Sequence, residues 1–274
     1  LTFLPSNDAV RDVAPSLADT VLAASLCPTD GHANPVATVR AFAAAAERKG
    51  ATLLTGTEVT EILVEHGRVT GVQTSSGRID AGIVAAAAGV YTDRLLAPLD
   101  IDLPLRIRHV SVVQTIPAPA MLRQVLGVAN ADFAGRQEIG GCFRLTGGGS
   151  PWNHTLDERR QSDDVVQPPA QQVMATLARA TEVVPALLDI PIGRVWGGLI
   201  DMTPDALPVI ERLPEVDGLI VAAGFSGHGF CLGPVTGQII RELALDGCST
   251  LPIKPFRHDR FGASITQEAM TLHG

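Results

Sequence analysis

The segment Gly218–Gly247, GLIVAAGFSGHGFCLGPVTGQIIRELALDG, joins an unbroken apolar run to a glycine-rich turn and then to a long helical pattern. An apolar run without alternation suits a strand covered on both faces, the setting of a parallel sheet packed under helices. Gly224, Gly227 and Gly229, with the small Ser226, strip Cβ bulk from the turn, so that its amides can approach a planar or anionic group closely. The helix that follows would direct its positive end at the same place. By residue chemistry alone, the segment equally suits a tight strand-to-helix connection in any α/β protein.

Upstream, the pattern alternates between two regimes. Val36 to Lys49 is alanine-rich and free of proline, with Pro35 ahead of it and Gly50 behind, which predicts a helix. From Ala51 onward β-branched and polar residues alternate around His66-Gly67 and Ser76-Gly77, predicting a β-meander. The run Ile83 to Ala88 reads as a strand buried on both faces, and Gly89 turns it into VYTDRLL, a helix start. Leu103 to Arg194 then carries long alternating segments, LRIRHVSVVQTI and GCFRLTGGG, and a helical stretch Ala170 to Ala180. This predicts an inserted antiparallel sheet with one covering helix. From Val195 the first pattern resumes. The expected class is α/β with an α+β insertion: a discontinuous domain over residues 1–102 and 195–274, and a second over 103–194.

Composition excludes several functions. With 274 residues and 46% hydrophobic content the chain can bury a sizeable core. A formal charge of -8, without a basic stripe, argues against nucleic acid. The longest apolar run is too short to span a bilayer and the N-terminus lacks signal-peptide features. Cys27, Cys142, Cys231 and Cys248 are scattered without a CxxC pair, which suits reduced thiols and a cytoplasmic default. His228 and Cys231 stand apart from companions that could complete a metal site.

Several segments together resemble the D-amino-acid oxidase (DAO) superfamily of FAD-dependent oxidoreductases, in its branch of sarcosine oxidase beta subunit, glycine oxidase and dimethylglycine dehydrogenase. GFSGHGF is similar to the C-terminal flavin-contacting turn of that branch, and WGGLIDMTPDALPVI to its strand and TPD turn, in the same order and spacing. TEVTEI resembles the strand whose valine backbone meets adenine, AAAAGVYTDRLL the turn near the pyrophosphate, and DGHANP the loop ahead of a long helix. The resemblance implies an FAD-binding Rossmann-like domain with an inserted substrate domain. It also implies flavin contacts at Val59, Ala88, Gly89, Gly198, Gly224, Ser226, Gly227, His228, Gly229, Phe230 and Cys231. A dinucleotide fingerprint needs a strand, GxGxxG and a helix in one unit, and these residues contain none. The chain reads as N-terminally truncated, either a fragment of a longer enzyme or a subunit completed by another polypeptide.

Individual residues sharpen this expectation. The resemblance places His228 beside the flavin ring, where imidazole could donate to a flavin oxygen or a bound carboxylate. Cys231 replaces the lysine of monomeric sarcosine oxidases, which puts sarcosine and efficient oxygen use in doubt. Gly198 stands where those enzymes attach FAD through cysteine, so noncovalent FAD is expected there. Arg106 and Arg144, on strands of the inserted sheet, are candidates for a substrate carboxylate; their other role is to solvate a sheet face. Arg108 shares a face with Arg106, and His109 lies opposite. Asp201, Tyr91 and Trp196 read as turn-forming or core residues.

The implied reaction oxidises a C–N bond in an amino acid or secondary amine: hydride passes to flavin and water hydrolyses the imine. The implied ligand is a small amine or amino acid, with a partner subunit or homo-oligomer possible. Two other functions stay open: a dehydrogenase subunit passing electrons to a partner, and a non-catalytic remnant serving in binding or assembly.

Overall fold

The computed structural model describes residues 1–262 apart from Ser162. β1 (Thr2–Leu4), α1 (Asn7–Val13) and β2 (Ala24–Leu26) open the chain, the two strands paired antiparallel. α2 (Pro35–Arg48) starts where the Asn34 side chain accepts from the Ala37 amide and Pro35 fills a first-turn position that needs no N–H. The predicted meander is β3 (Val59–Glu65), β4 (Arg68–Thr74) and β5 (Gly77–Asp80). Its first hairpin closes through His66 and Gly67, both at positive φ (51° and 75°), the pairing that matches strand twist in a two-residue turn. β6 (Val84–Ala86) and the short α3 (Thr92–Leu96) follow.

The long antiparallel segments are β7 (Arg106–Thr115), β8 (Leu126–Gly127), β9 (Phe133–Gln137), β10 (Phe143–Gly147) and β11 (Ser150–Pro151). α4 (Leu156–Gln161) and α5 (Ala170–Val183) separate them from β12 (Ile192–Met202). β13 (Val209–Arg212), β14 (Leu219–Ala223) and α6 (Gly229–Leu245) complete the ordered elements. Pro234 lies inside α6.

The described residues form two compact units, 1–33 with 108–199 and 34–107 with 200–262. In the first, β11, β7, β10, β9 and β8 lie side by side and β12 also pairs with β7. Its core joins Val10, Ala14 and Leu17 to Val113, Phe133, Phe143 and Leu145 of the sheet and to Ala180 and Val183 of α5. That packing puts the first 33 residues with the antiparallel sheet, whereas the sequence assigns them with the flanking segments 34–102. The apolar positions of α1 show on their face no mark of the sheet they will cover, so the sequence carries no signal for it.

In the second unit, β14 is central between antiparallel β13 and parallel β6, and all five of its residues are buried. Ile239 and Leu243 of α6 pack on Ile210 and Ile220. The run Ile83 to Ala88 differs from expectation: among the described residues β6 is the outer strand of its sheet, with Ile83 41% exposed and Ala85 exposed. An apolar run of alanines does not separate a central strand from an edge one. Residues 263–274 of the expected discontinuous domain lie outside the described residues.

Candidate functional site

Two chain segments leave the parallel pair at neighbouring carboxyl ends. Val221 of β14 is opposite Ala86 of β6, so Ala88-Gly89 and the Gly224–His228 turn follow the strands at the same edge. Open α/β sheets bind ligands at this end, because only there do main-chain amides and helix N-termini converge without side chains in the way. Gly224, Ser226 and Gly227 all take positive φ (69°, 51° and 90°), so the turn is built from left-handed residues that need outside support.

That support comes from the end of β12. The buried Asp201 accepts from the Gly224 amide through Oδ2 at 2.7 Å, and its carbonyl accepts from the Ser226 amide at 3.0 Å. Burial raises the Asp201 pKa above the usual carboxylate range, and the Gly224 amide partly opposes the rise. Ser226 Oγ donates to the Gly224 carbonyl at 3.2 Å and accepts from the Thr203 amide at 3.3 Å. The Ser226 hydroxyl is therefore engaged inside the turn, and it shapes the turn while the backbone presents the outward donors.

α6 begins directly after this turn. His228 is its N-cap residue and makes no side-chain cap bond, so the first amides of a 17-residue helix are not capped from within. Phe230 and Cys231 are exposed there and Gly229 is half-buried, and Cys231 Sγ donates to the His228 carbonyl at 3.1 Å. A flavin needs main-chain donors for its carbonyl edge and clearance for a flat ring; this helix end and turn supply both. Gly89 adds a second cradle: at φ 55°, a Cβ built there meets nothing within 4 Å. At Gly229 an added Cβ would meet the Phe225 side chain of the same turn at 3.3 Å. β3 is the outer strand of its sheet, so among the described residues Val59 pairs only with Thr74 of β4 and keeps one main-chain edge for another partner. These donors and clearances fit FAD.

The remaining candidates are distributed between the units. Arg106 is an exposed residue of the second unit. Arg144 and Gly198 belong to the first, where a Cβ at Gly198 would meet Val110 at an ordinary 3.8 Å. Arg108 is tied to the Gly149 carbonyl at 2.7 Å. His109 is buried and donates through Nε2 to the Val166 carbonyl at 2.8 Å, a structural bond. Trp196 is half-buried beside two guanidiniums, Arg194 at 4.2 Å and Arg144 at 5.3 Å from its ring centre. A cavity of about 710 Å³ in the first unit is lined by apolar residues such as Val10 and Leu17. Its polar groups bond within the unit: Gln124 donates to the Val13 carbonyl at 3.1 Å, and Arg179 pairs with Asp132 and Glu182.

Sequence patterns do not single out Thr203 or Arg136. Thr203 supports the turn through its amide, which no side-chain motif reveals. Arg136 faces Arg144 across paired strands, and only the register shows this.

Known proteins share this fold. The sequence profile of the DAO family, described as FAD dependent oxidoreductase, matches residues 2–243. Sarcosine oxidase subunit beta of Rhodobacter capsulatus is 30% identical over 240 residues, which are 84% of this chain and 53% of that protein. Glycine oxidase of Bacillus licheniformis is 27% identical over 258 residues, 92% of this chain and 65% of that one. Among solved structures, L-proline dehydrogenase from P. horikoshii superposes with a TM-score of 0.84 at 29% identity, covering 95% of this chain and 68% of that one. Glycine oxidase from Geobacillus kaustophilus gives 0.83 at 26% identity, covering 94% and 66%. The chain spans about half the length of the first of these relatives, and no helix among the described residues is long and apolar enough to cross a membrane. With the profile running through the strand ends, the glycine turn and most of α6, the chain belongs to the DAO family of FAD-dependent oxidoreductases.

Proposed function

We propose that this protein oxidises the C–N bond of an amino acid or secondary amine, using noncovalently held FAD. The observation that carries the proposal is the convergence of two glycine turns and a helix N-terminus without a side-chain cap bond from its N-cap residue at the carboxyl ends of β6 and β14. FAD, when bound, supplies the two-electron acceptor. The chain supplies orientation. The amides that open α6 would hold the polar edge of the ring, the Ala88-Gly89 turn would leave clearance at the pyrophosphate, and the Val59 main chain would meet adenine. His228 would donate a hydrogen bond to a ring oxygen or a substrate carboxylate. Names of relatives support the substrate class: sarcosine, glycine and L-proline are all amino acids with a primary or secondary amine.

A second reading, electron delivery to a partner in place of oxygen, is favoured by Cys231. Its thiol donates to the His228 carbonyl and provides no fixed positive charge at the position where the resembled monomeric oxidases carry lysine. A relative named as a subunit agrees with an assembly of this kind.

Flavin fluorescence during titration of FAD into the 274-residue chain tests the cofactor, and Gly89→Val tests the site. Weak quenching is expected from a chain that contains no dinucleotide fingerprint, and Gly89→Val should weaken it further. Equal binding by the variant overturns the site. Turnover of sarcosine, glycine and L-proline, compared with oxygen and with a dye as acceptor, separates the two readings. A protein that binds FAD and oxidises none of the three with either acceptor fits the non-catalytic remnant.

A further inference from the structure

The turn 203–207, which follows β12, contains a left-handed residue that is not glycine. Ala206 has φ 58°, a conformation costly for any residue with a Cβ and kept only where the surroundings over-determine it. Three of the bonds that hold it are local. The Ala206 amide donates to the Thr203 carbonyl at 3.3 Å, the Leu207 amide to Asp205 Oδ1 at 3.1 Å, and Thr203 Oγ1 to the Leu207 carbonyl at 2.7 Å. The others come from Arg260, 55 residues beyond Asp205. Its guanidinium meets the Asp205 carboxylate as a fork, Nε with Oδ2 at 2.8 Å and Nη2 with Oδ1 at 3.1 Å, and Nη2 also donates to the Leu207 carbonyl at 2.6 Å.

Arg260 is itself held in place. It ends a single 3-10 turn, His258–Arg260, and its Nη1 donates to the Arg257 carbonyl at 2.9 Å. The His258 amide and Nδ1 both donate to Glu211 of β13, and Nε2 lies 3.2 Å from Glu215 Oε1. The guanidinium therefore reaches the turn from a segment fastened to the sheet. Burial works against the Asp205 carboxylate, but Arg260 and the Leu207 amide outweigh it and hold the Asp205 pKa below the usual carboxylate range, so the fork keeps its charge.

The Leu207 carbonyl is the junction, since it accepts from both Arg260 and Thr203. Fixing the Thr203 hydroxyl fixes its stiff, β-branched side chain, and Cγ2 then closes on Gly224 so tightly that a Cβ there would lie 2.4 Å away. The Thr203 amide donates to Ser226 Oγ at 3.3 Å. Gly224 and Ser226 are the positive-φ residues whose amides Asp201 holds. A continuous set of contacts thus runs from Arg260 through Leu207 and Thr203 to the glycine turn, all within the second unit.

We propose that Arg260 is a positioning residue for the candidate flavin site, setting the 224–228 turn through the Leu207 carbonyl and Thr203. Its bearing on oxidation rests on the flavin reading above; its effect on the turn does not.

Amide hydrogen exchange of the 274-residue chain tests this in wild type, Arg260→Gln, Arg260→Lys and Asp205→Asn. Arg260→Gln should speed exchange of the Gly224 and Ser226 amides about tenfold or more, while the Val221 and Leu243 amides change less than about twofold. Arg260→Lys keeps the charge but not the fork, so it should restore only part of the protection. Unchanged exchange at Gly224 and Ser226 overturns the proposal. Equal acceleration at all four amides also overturns it, because Arg260 would then only stabilise the unit as a whole. If Arg260→Gln unfolds, Arg260→Lys and Asp205→Asn decide on the same amides. FAD titration of the same proteins separates the two readings: local acceleration with a measured FAD affinity equal to wild type takes the turn out of the flavin site alone, and FAD affinity lost without local acceleration sinks the positioning role alone.

Discussion

The carboxylate of Asp201 accepts a hydrogen bond from the main-chain amide of Gly224, 23 residues further along the chain, at 2.7 Å. Asp201→Ala leaves that buried amide unpaired and should cost about 1–3 kcal/mol in chemical denaturation. Asp201→Asn keeps an acceptor and should cost less. Because burial raises the folded-state pKa, the contribution of Asp201 is fully present below the ordinary carboxylate value and falls as pH rises through the raised one. The Asn variant should lack this part of the pH dependence; an unchanged pH profile would remove Asp201 from the account.

Gly224 and Gly89 should separate packing from ligand clearance. A Cβ at Gly224 would lie 2.4 Å from Thr203 Cγ2 and 2.9 Å from Leu105 Cδ2, at φ 69°, so Gly224→Ala should cost about 2–4 kcal/mol. Gly89→Ala meets no protein atom within 4 Å and should cost only the backbone strain, about 1–2 kcal/mol. Thermal melts and FAD titrations on both variants check this: under the proposed site, Gly89→Ala loses FAD affinity beyond its loss of stability.

Glu242 is 5% exposed and sits among donors from its own helix and the following loop. The Gln238 side chain, the Thr250 amide, and the Ser249 and Thr250 hydroxyls lower its pKa to about 2. A depressed carboxylate pKa contributes stability that is present above the ordinary Glu value and is lost as pH falls toward about 2. Acid titration of wild type and Glu242→Gln should show a stability difference at neutral pH that closes at low pH. A difference independent of pH would mean that shape, and not charge, is what the loop needs.

Gly197 leaves no room at all. Its Cβ would lie 1.7 Å from the Val166 carbonyl oxygen and 2.5 Å from His109 Nε2, so Gly197→Ala must displace backbone or break the His109–Val166 bond. Loss of cooperative unfolding in the first unit is expected. A melt like that of wild type would show that this close approach can relax.

Local chemistry made much of this fold legible. The His66-Gly67 hairpin, the Pro35 helix start and the strand, turn and helix of residues 219–245 each follow from side chains acting over a few positions. The environment of β6 was not legible, since burial of Ala85 depends on which strand lies beyond it. Of the candidate site, the glycine turn was visible as a motif. The Asp201 clamp and the Arg136–Arg144 opposition are products of long-range register, which a one-residue slip would abolish.

Pro234 gives α6 a seam one turn in from the candidate site. Without an N–H at 234, the Phe230 carbonyl has no donor four residues ahead, and the ladder is interrupted where the first turn meets the packed part of the helix. The Leu232 amide still bonds to the His228 carbonyl at 3.1 Å, so the opening turn keeps its own closure. Below the seam, Ile239 and Leu243 anchor the helix to the sheet. The opening amides can therefore adjust their aim without unwinding the anchored length, which makes the end that meets a ligand compliant and the end that holds the fold stiff.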